Sequence, residues 1–593
     1  MTTARVAFST GQEVNVSVGS KLSEAIGLSG LSMDFPCGGL GKCGQCKVVV
    51  EEKGKNADEV LACTYQVTTD VKVEIQNALE ATEHSILSAG VKVESDVDSG
   101  LTKCYLQGLK HTGQPLWNEV KNQAEGIGLL LFPDLPLLQD SADSLLDKKK
   151  GVTLVAFNQQ VIQIERGDTT DACFGLAVDI GTTTVAGYLI NLHTGEEIAV
   201  ASDLNRQRVF GADVISRISA GTQSKDNLKR LQAGAIETVN HIIGSVTGKA
   251  DISPNSIYFL TLAGNTTMHH LLLGLHPGTL GQVPFLPIIR RSVEVTANDL
   301  KLALNARARA WIFPVIAGFI GGDTVSAILA CNLHRRSGIN LLIDIGTNGE
   351  LVINAHGRMV ACSAAAGPAL EGGQVTFGMR AERGAISKVS LSPEVKFEMI
   401  GQGPVKGLCG SGLIDLLGEL IKAGLISLRG KLADSASFTG PDYLKKRLCQ
   451  TAQGKSFLIL SAEENSGQEI YLTQSDVSQL QLAKGALRAA AELLVKTVGV
   501  SGEDVEGVFL AGAFGNFMDT GQALNIGLLP EWAQGKVRIV GNAAGEGAKA
   551  ALLSRAMRKE AEGISEKVEF LELAANPAFQ NAFIEGMLFK QAF

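Results

Sequence analysis

The sequence predicts a multidomain protein of mixed α/β type. An α+β domain spans residues 1–80, a flexible linker 81–100, a small α/β middle domain 101–171, and a large two-lobed α/β domain 172–593. Three observations carry this. A cysteine loop, CGGLGKCGQC, sits among short alternating strands near the start. A polar, small-residue stretch follows it. One strand–turn–strand motif, with Asp-Ile-Gly-Thr at its turn, then occurs twice.

Composition narrows the classes. With 593 residues, 45% hydrophobic and 19% charged, the chain supports several buried cores. A net charge of −8 without a basic face argues against nucleic acid. The start, MTTARVAF, has no basic segment leading into an apolar one. The longest apolar run, 311–322, is short and broken by Pro314 and glycines, so neither a leader nor a membrane span is expected. The expected location is the cytoplasm, where the scattered cysteines 104, 173, 331, 362, 409 and 449 act as small buried hydrophobes.

In the first domain, Val6, Phe8, Val14, Val16 and Val18 alternate around a Thr10-Gly11-Gln12 turn, predicting a β-hairpin. A helix is expected over 21–29, then the cysteine loop, a strand Lys47–Glu51, a loop to Cys63 and a strand Asp70–Ile75. Cys37, Cys43 and Cys46 form Cys-x5-Cys-x2-Cys, with Cys63 further on. Zinc ribbons offer two Cys-x2-Cys knuckles instead, so a structural zinc site is the weaker alternative. The spacing is close to the plant-type pattern for a [2Fe–2S] cluster. Gly38, Gly39, Gly41 and Gly44 allow a loop to wrap closely and aim backbone N–H groups at sulfides. The segment resembles a [2Fe–2S] ferredoxin, which implies a β-grasp fold and one-electron transfer.

The middle domain is expected to hold a strand Lys103–Leu109, a helix over 117–128 and strands Val152–Phe157 and Val161–Glu165. No chemistry is assigned to it, and a spacer role is expected.

The large domain opens with GLAVDIGTTTVAGYLI (175–190), and the turn returns in NLLIDIGTNGELVIN (340–354). Either copy alone reads as an ordinary hairpin. Facing each other across a cleft, the two can present N–H groups and the hydroxyls of Thr182, Thr183 and Thr347 to a polyphosphate, with Gly181, Gly346 and Asn348 shaping the turns. Asp179 and Asp344 would then hold Mg²⁺ and its waters. In GVFLAGAFGNF (507–517), Gly512 and Gly515 leave room for adenosine; GLCGSGLIDLLGEL (407–420), with Gly410 and Gly412, and VGNAAGEGAKAAL (540–552) are two glycine-rich helix entries, either of which offers an N-terminus to phosphate or sugar. Gly454-Lys455-Ser456 is not a P-loop, because Cys449 replaces the first required glycine and no buried strand leads into it.

This order of turns resembles the acetate and sugar kinase, Hsp70 and actin superfamily, which implies an actin-like, duplicated RNase H-like ATPase fold over 172–593. QRVFGADVISRI (207–218), LAGNTTMHHLLLGL (262–275), CSAAAGPALEGG (362–373) and LTQSDVSQLQLAKGALRAA (472–490) extend the likeness nearly end to end. The whole chain resembles the reductive activators of corrinoid enzymes. That resemblance implies ATP with Mg²⁺, a [2Fe–2S] cluster, return of a partner corrinoid protein from Co(II) to Co(I), an upstream low-potential electron donor, and a homodimer.

Other readings stand beside it. One is an activator of 2-hydroxyacyl-CoA dehydratases or aryl-CoA reductases; another is a redox-sensing interaction protein with an inert ATPase scaffold. Asp323 is either a helix N-cap or, by its superfamily position, the group that activates water. His269 and His270 are read as packed or solvent-facing rather than as ligands, Arg206 and Arg208 as surface charge, and Cys362 and Cys409 as packed in strand-to-helix turns.

Overall fold

The computed structural model describes residues 3–29, 31, 33, 41, 46–52, 57–75, 96–107, 109, 113–146, 150–512 and 518–589. Cys37, Cys43, Gly515, the loop glycines 38, 39 and 44, and linker residues 81–95 lie outside the described residues.

The N-terminal domain runs β1 (Thr3–Phe8), β2 (Glu13–Ser17), α1 (Leu22–Leu28), β3 (Lys47–Glu52), β4 (Asp58–Leu61) and β5 (Val71–Glu74). Its sheet order is β2-β1-β5-β3-β4, with β1 parallel to β5 and the other pairs antiparallel. Alternation sends Val6, Val16, Val48 and Val73 inward, where Leu22, Ala25 and Ile26 of α1 meet them, the β-grasp arrangement the sequence predicts. Strand β4 forms where the sequence predicts a loop. Asp58-Glu59 hides its pattern, and it forms because β3 pairs with it, helped by a Lys47–Glu59 ion pair at 2.6 Å.

The middle domain holds β6 (Leu101–Leu106), α2 (Leu116–Gly126), α3 (Leu135–Leu146), β7 (Val152–Phe157) and β8 (Gln160–Arg166), with an antiparallel β6-β7-β8 sheet. Helix α3 escapes sequence reading because Pro133 and Pro136 suggest a break. Pro136 sits in the first turn, where no N–H is needed, and Asp134 accepts from the Leu137 N–H at 2.7 Å.

The first lobe comprises β9 (Phe174–Ile180), β10 (Thr184–Asn191), β11 (Glu197–Leu204), α4 (Val214–Gln223), α5 (Lys225–Ala250), β12 (Ile257–Gly264), α6 (Thr266–Leu272), β13 (Val293–Thr296), β14 (Arg309–Ile312) and α7 (Gly322–Ala330). The second comprises β15 (Ile339–Ile345), β16 (Gly349–Ala355), β17 (Arg358–Ala364), β18 (Ala385–Ser390), β19 (Lys396–Met399), β20 (Gly407–Leu408), α8 (Gly410–Lys422), α9 (Asp442–Lys445), β21 (Leu448–Thr451), β22 (Gly454–Leu460), β23 (Ile470–Thr473), α10 (Gln474–Thr497), β24 (Gly507–Ala511), α11 (Thr520–Asn525), β25 (Val537–Gly541), α12 (Ala543–Leu553), α13 (Arg555–Lys567), β26 (Glu569–Phe570) and α14 (Pro577–Gly586). Gly454-Lys455-Ser456 opens strand β22, which excludes a phosphate loop there.

The lobes repeat one plan. An antiparallel meander, β9-β10-β11 or β15-β16-β17, is extended on the side of its first strand by two parallel strands, β12-β14 or β24-β25. Helices α7 and α12 follow the last strand of each plan and pack on each other between the sheets. Gly547 of α12 lies so close to Ser326 of α7 that no side chain fits, and the Ser326 hydroxyl donates to the Ala544 carbonyl at 2.5 Å. Phe259, Phe313, Val325, Leu342, Phe509 and Ala551 therefore share one core, and the lobes form a cleft rather than two separate bodies.

Candidate nucleotide cleft and iron–sulfur loop

Each Asp-Ile-Gly-Thr motif ends an inner strand. In β9, Asp179 pairs across with Ala186; in β15, Asp344 pairs with Glu350. The Gly181 N–H donates to the Thr184 carbonyl and the Gly346 N–H to the Asn348 carbonyl, both at 3.1 Å. A Cβ on Gly181 would stand 2.5 Å from the Thr184 oxygen, so the turn requires glycine. Both turns line one cavity of about 350 Å³, within the range of ligand pockets.

The turns are braced differently. The Gly181, Thr182 and Thr183 carbonyls accept from the Asn205 side chain at 2.9 Å, Arg217 at 2.6 Å and the Asn205 N–H at 2.9 Å, and Asn265 donates to the Thr182 hydroxyl at 2.9 Å. Arg217 is fully buried, and burial lowers its pKa to about 9. In the second turn, the Thr347 hydroxyl donates to Glu371 at 3.1 Å.

Asp179, Asp323, Asp344, Glu350 and Glu371 all line the cavity. Burial, then repulsion from Asp323, pushes Asp179 up to about 7; burial, then Asp323, Asp179 and Glu371, does the same to Asp344. Burial raises Asp323 to about 6 against the hydrogen bonds of Thr324, and Glu350 stands well above the usual range for the same reason plus Asp323 and Asp344. Acids so crowded favour a cation, which would return them to the ionised form. Among the described residues no three such groups stand close enough to ligate one ion directly, so the arrangement suits an ion held partly through water.

Asp323 is the second residue of α7, whose N-cap is Gly321; its carboxylate accepts from the Thr324 N–H of that first turn at 2.7 Å and also lines the cleft. Gly410 lines the cavity at the start of α8. Gly412 does not: it lies against the Ile386 carbonyl, where a Cβ would collide. Gly512, at φ +100°, passes over the Ile345 carbonyl, and a Cβ there would stand 3.0 Å from Asp344 Oδ1. Sequence reading missed Asn542, Glu350, Glu371 and Arg380. Glu350, Glu371 and Asn542 all lie within strings already singled out, Asn542 in the helix entry 540–552, but nothing local assigns these three side chains to the site. The Asn542 side chain caps α12 through the Gly545 N–H at 2.9 Å and donates to Asp179 at 3.0 Å.

Arg208 is buried rather than surface charge. His269 and His270 are both packed inside, one of the two placements expected, and the Ile288 N–H donates to His270 at 3.0 Å. Cys409 is the N-cap of α8, in a strand-to-helix turn as expected, but Cys362 lies within β17 rather than in a turn, and Cys104 and Cys449 are only half-buried.

Of the four clustered cysteines, Cys46 and Cys63 are described. Both are buried in the N-terminal core, and the Ala62 N–H donates to the Cys46 carbonyl at 2.8 Å, which draws their segments together. At Gly41, φ +71°, a Cβ would stand 2.8 Å from the Thr64 side chain, so Gly41 itself lies tight against the residue after Cys63. Two buried thiols on segments joined by the Ala62–Cys46 backbone bond fit an iron–sulfur cluster. Among the described residues no helix is long and apolar enough to cross a membrane.

A β-grasp domain with clustered thiols joined to a duplicated α/β cleft lined by acids defines an iron–sulfur protein with an actin-like ATPase. Residues 7–68 match the 2Fe-2S iron-sulfur cluster binding domain, 174–336 the RACo middle region and 338–592 the C-terminal domain of RACo, the ASKHA domain. The chain is 33% identical over 584 residues to the corrinoid activation enzyme RamQ of Eubacterium limosum, covering 98% of each. It is 25% identical to the [Co(II) methylated amine-specific corrinoid protein] reductase of Methanosarcina barkeri, covering 69% of this chain and 76% of that one. A solved reductive activator for corrinoid, iron-sulfur protein superimposes with a TM-score of 0.75 at 31% identity, covering 99% and 98%. The chain belongs to the RACo family. The RACo middle-region match coincides with the first lobe rather than with residues 101–171.

Proposed function

We propose that the chain is an ATP-dependent reductive activator that passes one electron from a [2Fe–2S] cluster to the Co(II) corrinoid of a partner corrinoid protein, restoring Co(I). The observation that carries this is the union in one chain of the thiol-bearing β-grasp domain with the acid-lined cleft, matched end to end in RamQ. Cys37, Cys43, Cys46 and Cys63 are the ligands we assign to the cluster, which supplies one electron at a potential near about −400 mV. Each ~59 mV by which the acceptor lies lower costs about 1.4 kcal/mol, so a coupled source of free energy is required.

Within the cleft, Asp179 and Asp344 orient Mg²⁺ and its waters, while Asp323 accepts the proton of the attacking water; its raised pKa suits a base working near neutrality. Thr182, Thr183 and Thr347 contact phosphate beside Gly181, Gly346 and Asn348. Gly410 opens α8 toward the ligand, and Gly512 with Gly515 leaves space for adenosine. Closure of the lobes about α7 and α12 favours the partner in the state easier to reduce. The domain division at 80, 100 and 171 is part of the same reading, as is a cytoplasmic setting, which suits the buried thiols Cys173, Cys331, Cys362 and Cys409. An acyl-CoA dehydratase activator would instead use cysteines inside the lobes at a subunit interface. Here Cys173, Cys331 and Cys362 pack in the cores, while Cys409 lines the cleft and Cys449 is a single half-buried thiol in β21.

The test is corrinoid reduction by the dithionite-reduced protein with ATP or with a non-hydrolysable analogue. Rapid Co(I) formation with ATP alone is expected, and equal rates would remove the coupling.

A further inference from the structure

The clamp on the first turn continues into the iron–sulfur domain. Asn205 and Arg217 hold the carbonyls of residues 181–183, and Asn205 begins the 3-10 helix Arg206–Phe210. That helix meets α1. Buried Arg208 donates to the Leu31 carbonyl at 3.2 Å, six residues before Cys37. Val209 Cγ1 lies 2.9 Å from the place a Cβ on Gly27 would occupy. Beside it, Glu24 of α1 pairs with Arg230 of α5 at 2.9 Å, and the Arg230 guanidinium sits 5.1 Å from the Phe210 ring.

We propose that residues 205–210 couple the nucleotide turn to the seating of the iron–sulfur domain, with Arg208 as a positioning residue for the segment that leads into the cysteine loop. This rests on reading 181–183 as a phosphate turn. The Thr182 and Thr183 amides share peptide units with the Gly181 and Thr182 carbonyls. A phosphate accepting from those N–H groups polarises the same carbonyls and strengthens their bonds from Asn205 and Arg217. The 205–210 segment stiffens, and the domain it clasps is held more firmly. By linkage, seating then strengthens nucleotide binding by the same factor.

The experiment uses the full-length protein with its cluster. Hydrogen–deuterium exchange of residues 22–28 is compared with and without Mg²⁺ and a non-hydrolysable ATP analogue, whose affinity is measured by calorimetry. Exchange is expected to slow about fivefold or more on binding. Gly27→Leu, a wedge against Val209, should abolish that protection and weaken the analogue by the same factor, with iron content unchanged. Glu24→Arg and Arg230→Glu should each act in the same direction, and the double exchange should restore protection. Tight binding with unchanged or faster exchange overturns the inference while leaving the nucleotide reading intact. Parental affinity in Gly27→Leu, or a double variant no better than the singles, also overturns it. An analogue that fails to bind removes the nucleotide reading and this inference together.

Discussion

Asn542, the N-cap of α12 in the second lobe, donates to the carboxylate of Asp179 in the first at 3.0 Å, and to the Tyr188 hydroxyl at the same distance. One amide thus ties the motif of one lobe to a helix of the other, across the cleft where the nucleotide is placed.

Asn542→Ala removes a cap and a hydrogen bond to a carboxylate. Loss of about 1–3 kcal/mol in urea unfolding is expected, together with slower ATP hydrolysis. Asp179→Asn keeps the shape but not the charge; hydrolysis should fall about 100-fold or more with stability little changed. An Asp179→Asn protein with parental ATPase would exclude the assigned role.

Gly512→Ala places a methyl group against the Ile345 carbonyl at a backbone φ of +100°. Destabilisation of about 1 kcal/mol or more and weaker nucleotide binding are expected, read by thermal melts and by titration with a fluorescent ATP analogue.

Arg217→Met leaves the Thr182 and Gly211 carbonyls without their guanidinium donor inside the protein. A cost of about 3 kcal/mol in equilibrium unfolding is expected, far above that of a surface arginine.

The cleft acids set a pH dependence. Asp179 and Asp344 titrate near 7 and Asp323 near 6 when folded, against about 3.9 unfolded. Between those values the folded state binds more protons. Their contribution is therefore fully present below about pH 4 and lost as pH rises through 6 to 7. Mg²⁺ with nucleotide favours the ionised acids, so its stabilisation should be larger near pH 7.5 than near pH 5. Urea midpoints with and without Mg–ADP check this; equal stabilisation at both pH values would count against a cation among these acids.

Cys46→Ser and Cys63→Ser should each lose visible absorption and bound iron when purified without oxygen. A colourless parent protein with zinc at these thiols would instead select the alternative that the spacing left open.

The chain by itself determined the class of each domain. Thiol spacing, alternation around a short turn and a duplicated Asp-Ile-Gly-Thr motif are local signals, fixed by covalent order and by backbone preferences within a few residues. Asp179, Asp323, Asp344 and Gly512 were legible for that reason, and the structure brings all four to one cavity. Tertiary structure decided the rest. Strand β4 exists because β3 pairs with it. Gly412 resembles a ligand-facing glycine until Ile386 is seen beside it, and Arg208 resembles surface charge until the Leu31 carbonyl is found at its tip. Asn542 stands 363 residues from the carboxylate it bonds. Contacts over such separations are set by how two sheets close on α7 and α12, and no periodicity along the chain records that distance.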